Sequence, residues 1–329
     1  MVVREILTGY IKTYIFCDPD SNFCAIISLE ANAKYPALGG CRLAYYPSIE
    51  AAILEAECLC RAMGHKAAAS GLPYSGGKAV IIKPMDSWDR SLILQRFGEC
   101  VESLQGRYIT TIDSGTSPED MSYISRFTQF ITGTIESERS FGSTSQATAL
   151  GVFIGIKAAA RYRLHTDSVS TLHVAIQGLG EVGYRLATLL AKAGAALTLC
   201  DAKAGLALHY AQELGGKAVE PDEIYKVDCD IFSPCALGQV INARTVPMIK
   251  AKIVAGAANE QLMDPGYADL LKLRDILYVP DYLINAGGLI HLAYQMQGKC
   301  QADSELEIAK IDQRVLASIS PNRLGPYSF

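Results

Sequence analysis

Residues 172–201 constrain this chain more tightly than any other stretch, because strand, turn, helix, strand and acid can be read there in unbroken order. Leu172, Val174 and Ile176 alternate as an apolar strand that runs into Gly178-Leu179-Gly180-Glu181-Val182-Gly183, and a helix follows through Tyr184, Leu186, Leu189 and Leu190. Each glycine has its own task. Gly178 permits the tight turn, Gly180 lets backbone approach a pyrophosphate, and Gly183 lets helix pack closely on strand. Open N–H groups at the start of the helix then face the phosphate charge. Gly194 ends the helix, and a second strand over 196–200 delivers Asp201, about 20 residues beyond the glycines, where an acid binds a ribose 2′-hydroxyl. The pattern predicts a dinucleotide-binding unit that takes NAD rather than NADP. Glu181 brings a negative charge close to the pyrophosphate position, and its side chain is expected to point outward to solvent.

At 329 residues, half of them apolar, the chain can form two domains with sizeable cores. The formal net charge is −4 and no run of Lys and Arg occurs, which argues against nucleic acid or an anionic membrane as partner. The ten cysteines include no C-x-x-C pair, and Cys58 and Cys60 fall on different faces of a helix. They read as reduced, mostly buried thiols of a reducing compartment. Charges at Arg4, Glu5, Lys12, Asp18 and Asp20 interrupt any leader core, and no uninterrupted run of about 18 apolar residues exists. A cytoplasmic location is therefore expected. His65, His165, His173, His209 and His291 stand in no metal-ligand spacing, so no metal site is predicted.

In the first part of the chain, β-rich runs at 10–17 and 23–29 flank the turn-forming 18–22 and predict a hairpin. The paired Gly39 and Gly40 form either a plain loop or a place where bare backbone approaches a ligand. Ser48 can cap a helix whose apolar stripe, Ile53, Ala56, Leu59, Cys60 and Met63, reaches Lys66 next. That lysine either snorkels to solvent or turns inward to meet an anion. Gly76-Gly77 leads into a strand over 78–82 that opens with Lys78. It is not a phosphate-binding P-loop: Leu72 stands where a glycine is required and Ala79 where Ser or Thr must follow. Two cations in apolar surroundings suggest a carboxylate pocket. A strand over 108–112 ends at Asp113, which is either a turn former or a catalytic acid, and Ser117-Pro118-Glu119-Asp120 opens the next helix.

A helix over 149–161 leads towards the glycine turn. Strands at 231–233, 253–255 and 276–279, with helices between them, continue a doubly wound parallel sheet. The expected fold is therefore α/β with two domains: a first domain over 1–138, a Rossmann-type unit over 139–300, and a short C-terminal segment over 301–329. The boundary is placed near 134–143. Loops at 234–236, 256–259 and 280–288 end the later strands, where ligands of such sheets bind.

Taken in order, LGGCR from Leu38, GHKAAASGLPYSGGKAVI from Gly64, ITTIDSGT from Ile109, TALGV from Thr148, GLGEVG from Gly178, PCALG from Pro234, GAANEQL from Gly256 and PDYLINAGG from Pro280 resemble the amino-acid dehydrogenases that act on glutamate, leucine, phenylalanine and valine. The resemblance covers about residues 31–293. It implies NAD-dependent oxidative deamination of an L-amino acid to a 2-oxo acid and ammonia, in a cleft between the domains of a homo-oligomer, often an octamer. By the same resemblance Lys66 binds the substrate carboxylate, Lys78 activates water, and Asp113 exchanges protons with the amine. Gly39, Gly40 and Asn285 contact or orient the substrate. Thr148, Cys235, Ala236 and Asn259 contact the nicotinamide half of the cofactor, whose phosphates and ribose fall to Gly178, Gly180, Gly183 and Asp201. Burial and a like charge at Lys66 would both depress the Lys78 pKa and suit it to act as a base.

Leu38 stands where glutamate-specific relatives carry a lysine for the side-chain carboxylate. With Thr111 and Leu289 it is expected to shape an apolar pocket, which favours a branched-chain substrate such as leucine; phenylalanine, valine and a biosynthetic aromatic substrate are the alternatives. Ser75, Ser114 and Glu260 depart from the family pattern without removing a catalytic group. Residues 304–316 read as helix, and 320–323 do not continue it. A non-catalytic NAD- or amino-acid-binding protein that has lost its C-terminal closure is the alternative of a different kind.

Overall fold

The computed structural model describes residues 2–236 and 238–320. Leu237 of the motif at 234–238, and the tail from residue 321 onward, lie outside the described residues. Chain contacts divide the protein into two compact units, one running to Gly142 and including Gln295–Gly298, the other comprising Ser143–Tyr294 and the residues from Lys299.

The first unit begins with three antiparallel strands, β1 (Val2–Thr8), β2 (Ile11–Asp18) and β3 (Phe23–Glu30). Strand β1 was not anticipated. Its Arg4 and Glu5 hide the strand pattern, and an edge strand is held by pairing, Val2 opposite Cys17 through Thr8 opposite Ile11, more than by burial. Strand β4 (Ala37–Ala44), helix α1 (Ile49–Ala69), β5 (Ser75–Ile82), α2 (Arg90–Ser103), β6 (Tyr108–Ile112), α3 (Pro118–Ile124) and α4 (Ile135–Phe141) follow. Ser48 caps α1 by accepting from Ala51 N at 3.2 Å, and Ser117 with Asp120 forms a capping box on α3. The sheet runs β1-β2-β3-β5-β4-β6, with β4 parallel to both β5 and β6. One face buries Tyr14, Phe16, Ile27, Ala79 and Tyr108 against Ile93 and Phe97 of α2. The other packs Ile15, Ile26 and Val80 on Ala52 and Ala56 of α1. Two covered faces explain why these strands read as continuous apolar runs.

Both glycine pairs differ from the loop and turn readings. Gly39 and Gly40 lie inside β4, and Gly76 and Gly77 inside β5. The reason is close approach between strands: a Cβ on Gly39 would lie 1.8 Å from the Gly77 carbonyl oxygen. The reduced state expected of all ten cysteines is also corrected. The short turn after β2 sets Cys17 directly opposite Cys24, and the two are joined as a disulfide. Among the described cysteines outside the disulfide, Cys58 and Cys300 are exposed, whereas Cys41, Cys60, Cys100, Cys200 and Cys229 are buried.

The second unit starts with α5 (Thr144–Leu164), five residues earlier than its apolar pattern because Ser143 caps it. Then come β7 (His173–Gln177), α6 (Glu181–Lys192), β8 (Ala196–Cys200), α7 (Leu206–Leu214), β9 (Lys217–Ala218), β10 (Ile231–Pro234), β11 (Ile253–Val254), α8 (Tyr267–Leu273), β12 (Leu277–Tyr278), α9 (Asp281–Ile284), α10 (Gly287–Met296), α11 (Gln301–Ala309) and α12 (Ile311–Ile319). All pairings in the sheet β12-β11-β10-β7-β8-β9 are parallel. Two readings need correction. The helix expected between β10 and β11 is a single 3-10 turn at Val246–Met248, just after Thr245, whose Oγ1 accepts from Asn242 N. The helix expected over 304–316 is broken at Lys310 into α11 and α12. Among the described residues, no helix is long and apolar enough to cross a membrane.

Candidate active site

In the first unit, strand alternation sends Ala37, Cys41, Ala79 and Tyr108 to the α2 face. Leu38, Gly40, Arg42, Lys78, Thr111 and Asp113 therefore fall on the α1 face. Strand β4 lies between β5 and β6, so Lys78 must reach across Gly40 to meet Asp113. A Cβ on Gly40 would come within 2.8 Å of the Asp113 Cβ. Glycine at 40 thus clears the path for an ion pair between Lys78 Nζ and Asp113 Oδ2.

Asp113 is anchored by the turn that follows β6: its N–H donates to Thr116 Oγ1 at 3.0 Å, and Leu43 N donates to Ser114 O at 3.0 Å. Arg42, two residues beyond Gly40 on β4, donates from Nε to Asp113 Oδ2 at 3.1 Å and pairs through Nη1 with Glu55 of α1. Burial raises the Asp113 pKa, but the Lys78 and Arg42 charges outweigh it and hold the carboxyl below its ordinary 3.8. The charge bonded to Lys78 is thus a carboxylate, where the sequence suggested a neighbouring cation. Arg42 and Glu55 were missed because only the tertiary fold brings α1 over β4 and β6; the arginine in LGGCR was the available signal.

Lys66 is buried in the last turn of α1 rather than snorkelling to solvent. Leu38 is 1% and Thr111 5% exposed, and the Thr111 hydroxyl has no hydrogen-bond partner among the described residues. Asn285 and Leu289, expected in the same substrate set, belong to the second unit. Both are buried there.

In the second unit, Gly178 takes a φ of +93°, and a Cβ on it would lie 2.6 Å from Ala236 N. A Cβ on Gly183 would lie 2.0 Å from the Gly178 oxygen. Around Gly180 nothing lies within 4 Å of that position, and no side chain caps α6 there. Open space before free helix N–H groups fits a dinucleotide pyrophosphate. Glu181 leaves that space: its side chain is 76% exposed and pairs with Arg185 at 3.1 Å. Asp201 accepts from Leu179 N at 2.7 Å and Lys203 N at 2.8 Å, so it braces the glycine turn and keeps lone pairs for a ribose hydroxyl.

The loops after β7, β10 and β11 meet at the same end of this sheet. Cys235 N donates to Gln177 O at 2.7 Å, and Ala258 N to Pro234 O at 2.9 Å. Asn285 Nδ2 donates to Asn259 Oδ1 at 2.9 Å and Ala257 O at 3.1 Å, which makes it a brace for the 256–259 loop. Thr148 donates to Thr144 O at 2.8 Å within α5. Among the described residues, no group of three His, Cys, Asp or Glu side chains is placed to hold a metal ion.

Fold and sites together define an α/β protein with a Rossmann-type parallel-sheet unit and a second unit built around a buried lysine–carboxylate pair. Comparison with known proteins then gives the family. The chain belongs to the Glu/Leu/Phe/Val dehydrogenases: the family's dimerisation domain matches residues 12–130, and its Glutamate/Leucine/Phenylalanine/Valine dehydrogenase domain matches 142–210 and 205–315. Leucine dehydrogenase of Geobacillus stearothermophilus is 42% identical over 313 residues, 93% of this chain and 84% of the relative. Phenylalanine dehydrogenase of Lysinibacillus sphaericus is 42% identical over 290 residues, 86% and 76% of the two chains. The crystal structure of L-tryptophan dehydrogenase from Nostoc punctiforme superposes with a TM-score of 0.76 at 37% identity, covering 93% of this chain and 87% of that one.

Proposed function

We propose that this protein is an NAD-dependent L-amino-acid dehydrogenase acting on a branched-chain substrate: L-leucine, water and NAD⁺ give 4-methyl-2-oxopentanoate, ammonia, NADH and two protons. The observation that carries the reading is the Lys78–Asp113 ion pair, held on a sheet face beside apolar Leu38. A protein that only bound amino acids would have no use for a base and an acid in bonding contact.

Lys66 binds the substrate carboxylate. Asp113 takes a proton from the substrate ammonium, and the freed nitrogen lone pair assists departure of hydride from Cα, leaving an imine. NAD⁺, when bound, supplies the hydride acceptor. Lys78, once it has released a proton to solvent, orients water towards the imine carbon and takes its proton; Asp113 returns a proton to the nitrogen, and ammonia leaves as the new hydroxyl gives up its own proton to solvent through Lys78. Gly178, Gly180, Gly183 and Asp201 hold the pyrophosphate and ribose, and Thr148, Cys235, Ala236 and Asn259 hold the nicotinamide half. Leu38, Thr111 and Leu289 shape the side-chain pocket, and Asn285 orients the substrate. Buried Leu38 disfavours glutamate, whose side-chain carboxylate would be left unpartnered at a cost of several kcal/mol. The first unit is also the proposed site of self-association into a homo-oligomer, in keeping with the dimerisation domain it matches.

Likeness to tryptophan and phenylalanine dehydrogenases favours a second reading, an aromatic substrate with the same chemistry. NADH formation with L-leucine, L-valine, L-isoleucine, L-phenylalanine, L-tryptophan and L-glutamate at mildly alkaline pH decides between them. Highest kcat/KM for a branched-chain substrate is expected. An aromatic preference selects the second reading, and no turnover in a folded, NADH-binding protein overturns both.

A further inference from the structure

Four charged side chains from four elements form one line on the α1 face: Glu55 of α1, Arg42 of β4, Asp113 at the end of β6 and Lys78 of β5. Both cations bond the same carboxylate oxygen, Asp113 Oδ2. Among the described residues no side chain donates to Oδ1. Arg42 is itself fixed from the other side, because one planar guanidinium spends Nε on Asp113 and Nη1 on Glu55. Exposure falls steadily along the line, with side chains 32% exposed at Glu55, 23% at Arg42, 20% at Asp113 and 7% at Lys78.

We propose that Arg42 is a positioning residue for the deamination, clamped by Glu55 so that it locks the Asp113 carboxylate with Oδ2 occupied and Oδ1 left to exchange protons with the substrate nitrogen. This rests on the role given above to Asp113. Arginine suits this geometry best: its planar fork holds two carboxylates on different elements at fixed angles, whereas a lysine ammonium is a point donor that keeps the charge beside Asp113 with looser orientation. Glu55 has a part in the same device: its opposite charge, paired with Arg42, weakens the pull of Arg42 on Asp113, so that the acid is held ionised and oriented without being bound too tightly to give and take a proton.

The groups facing Asp113 from its neighbours are consistent with control by these charges. Lys78 and Arg42 supply the cations. The Cys41 thiol of β4 is pushed by burial up to about 12, and burial raises the Tyr108 and Tyr46 hydroxyls, so all three stay neutral across the working range. Glu55 is the remaining charge, acting through Arg42.

The test compares the full-length parent with R42Q, R42K, E55Q and D113N. Folding is checked by circular dichroism and thermal melting, NADH affinity by fluorescence, and kcat and KM with the best amino acid across pH. R42Q is expected to lower kcat on the order of tenfold to hundredfold with NADH affinity unchanged. The acidic limb of its kcat/KM profile should rise by about one pH unit, because a cation beside the carboxylate has been removed. R42K should keep that limb near the parental position and regain part of the rate. E55Q should move the limb the other way, to lower pH, and it serves as the test if R42Q does not fold. A folded R42Q with parental kcat and an unmoved limb overturns the proposal. So does an R42K as slow as R42Q with the parental pH profile, which marks a merely structural role, or an E55Q that moves nothing. Full turnover by D113N instead sinks the role of Asp113 itself, whatever the Arg42 variants do.

Discussion

Replacing Gly180 by alanine separates ligand space from packing space in the glycine turn. Gly180 caps α6 at a φ of −67°, which any residue adopts, and nothing lies within 4 Å of where a Cβ would stand. In the free protein the change should cost within about 1 kcal/mol either way, because the chain entropy that alanine removes offsets its weaker N-cap. If a pyrophosphate approaches there, the methyl displaces at least one charge-assisted hydrogen bond, worth about 1.5–3 kcal/mol. That corresponds to a Kd for NADH roughly 10 to 100 times weaker.

Gly183→Ala is the counterpart. Its Cβ would lie 2.0 Å from the Gly178 oxygen, so strand and helix must part. Overpacking of this kind costs about 1–3 kcal/mol, a fall in Tm of roughly 2–4 °C per kcal/mol in a domain of 150–250 residues. Differential scanning fluorimetry without ligand, followed by NADH titration, reads both effects. Gly180→Ala with parental NADH affinity would refute the ligand-space argument, and Gly183→Ala with an unchanged Tm would refute the packing argument.

Three further outcomes follow from the first unit. Asp113→Asn should retain NADH binding while losing most turnover, and at neutral pH should cost roughly 2 kcal/mol because Lys78 and Arg42 lose their shared counter-charge. The Asp113 pKa is depressed in the folded protein, so its stabilisation is present above the ordinary value of 3.8 and is lost as pH falls through the lower native value. The stability gap between parent and Asp113→Asn should therefore close on acidification below 3.8, and a gap that persists there contradicts the ion-pair origin. Lys78→Ala should abolish turnover, and normal rates in steady-state assays would rule out its role as base. Leu38→Lys buries a cation at a position only 1% exposed. It should lower Tm and, by supplying a partner for the side-chain carboxylate, raise activity on L-glutamate relative to L-leucine, which the substrate panel reads.

The local chemistry of each unit was legible in linear order. The glycine turn, its flanking strands and Asp201 are short-range features, and β6, Asp113 and the Ser117 cap lie where composition put them. Strand β1 and the 3-10 turn before β11 were not legible, since an edge strand depends on its partner and a short polar connection carries no period. The glycine pairs were recognised as special but assigned to loops. Their need comes from the neighbouring strand, and sequence alone does not say which strand is the neighbour.

What the sequence by itself determined is the pair of chemistries this chain carries, because hydrophobic period, capping residues and the glycine spacing act over a few residues and leave little choice of local structure. Tertiary structure alone decided how the charges are wired. Lys78, Asp113, Arg42 and Glu55 are scattered along the first unit, and only the strand order β5-β4-β6, with α1 laid across it, brings them within bonding distance. Hydrogen bonds and ion pairs reach only a few ångströms, so such a line of charges exists only once the chain has folded.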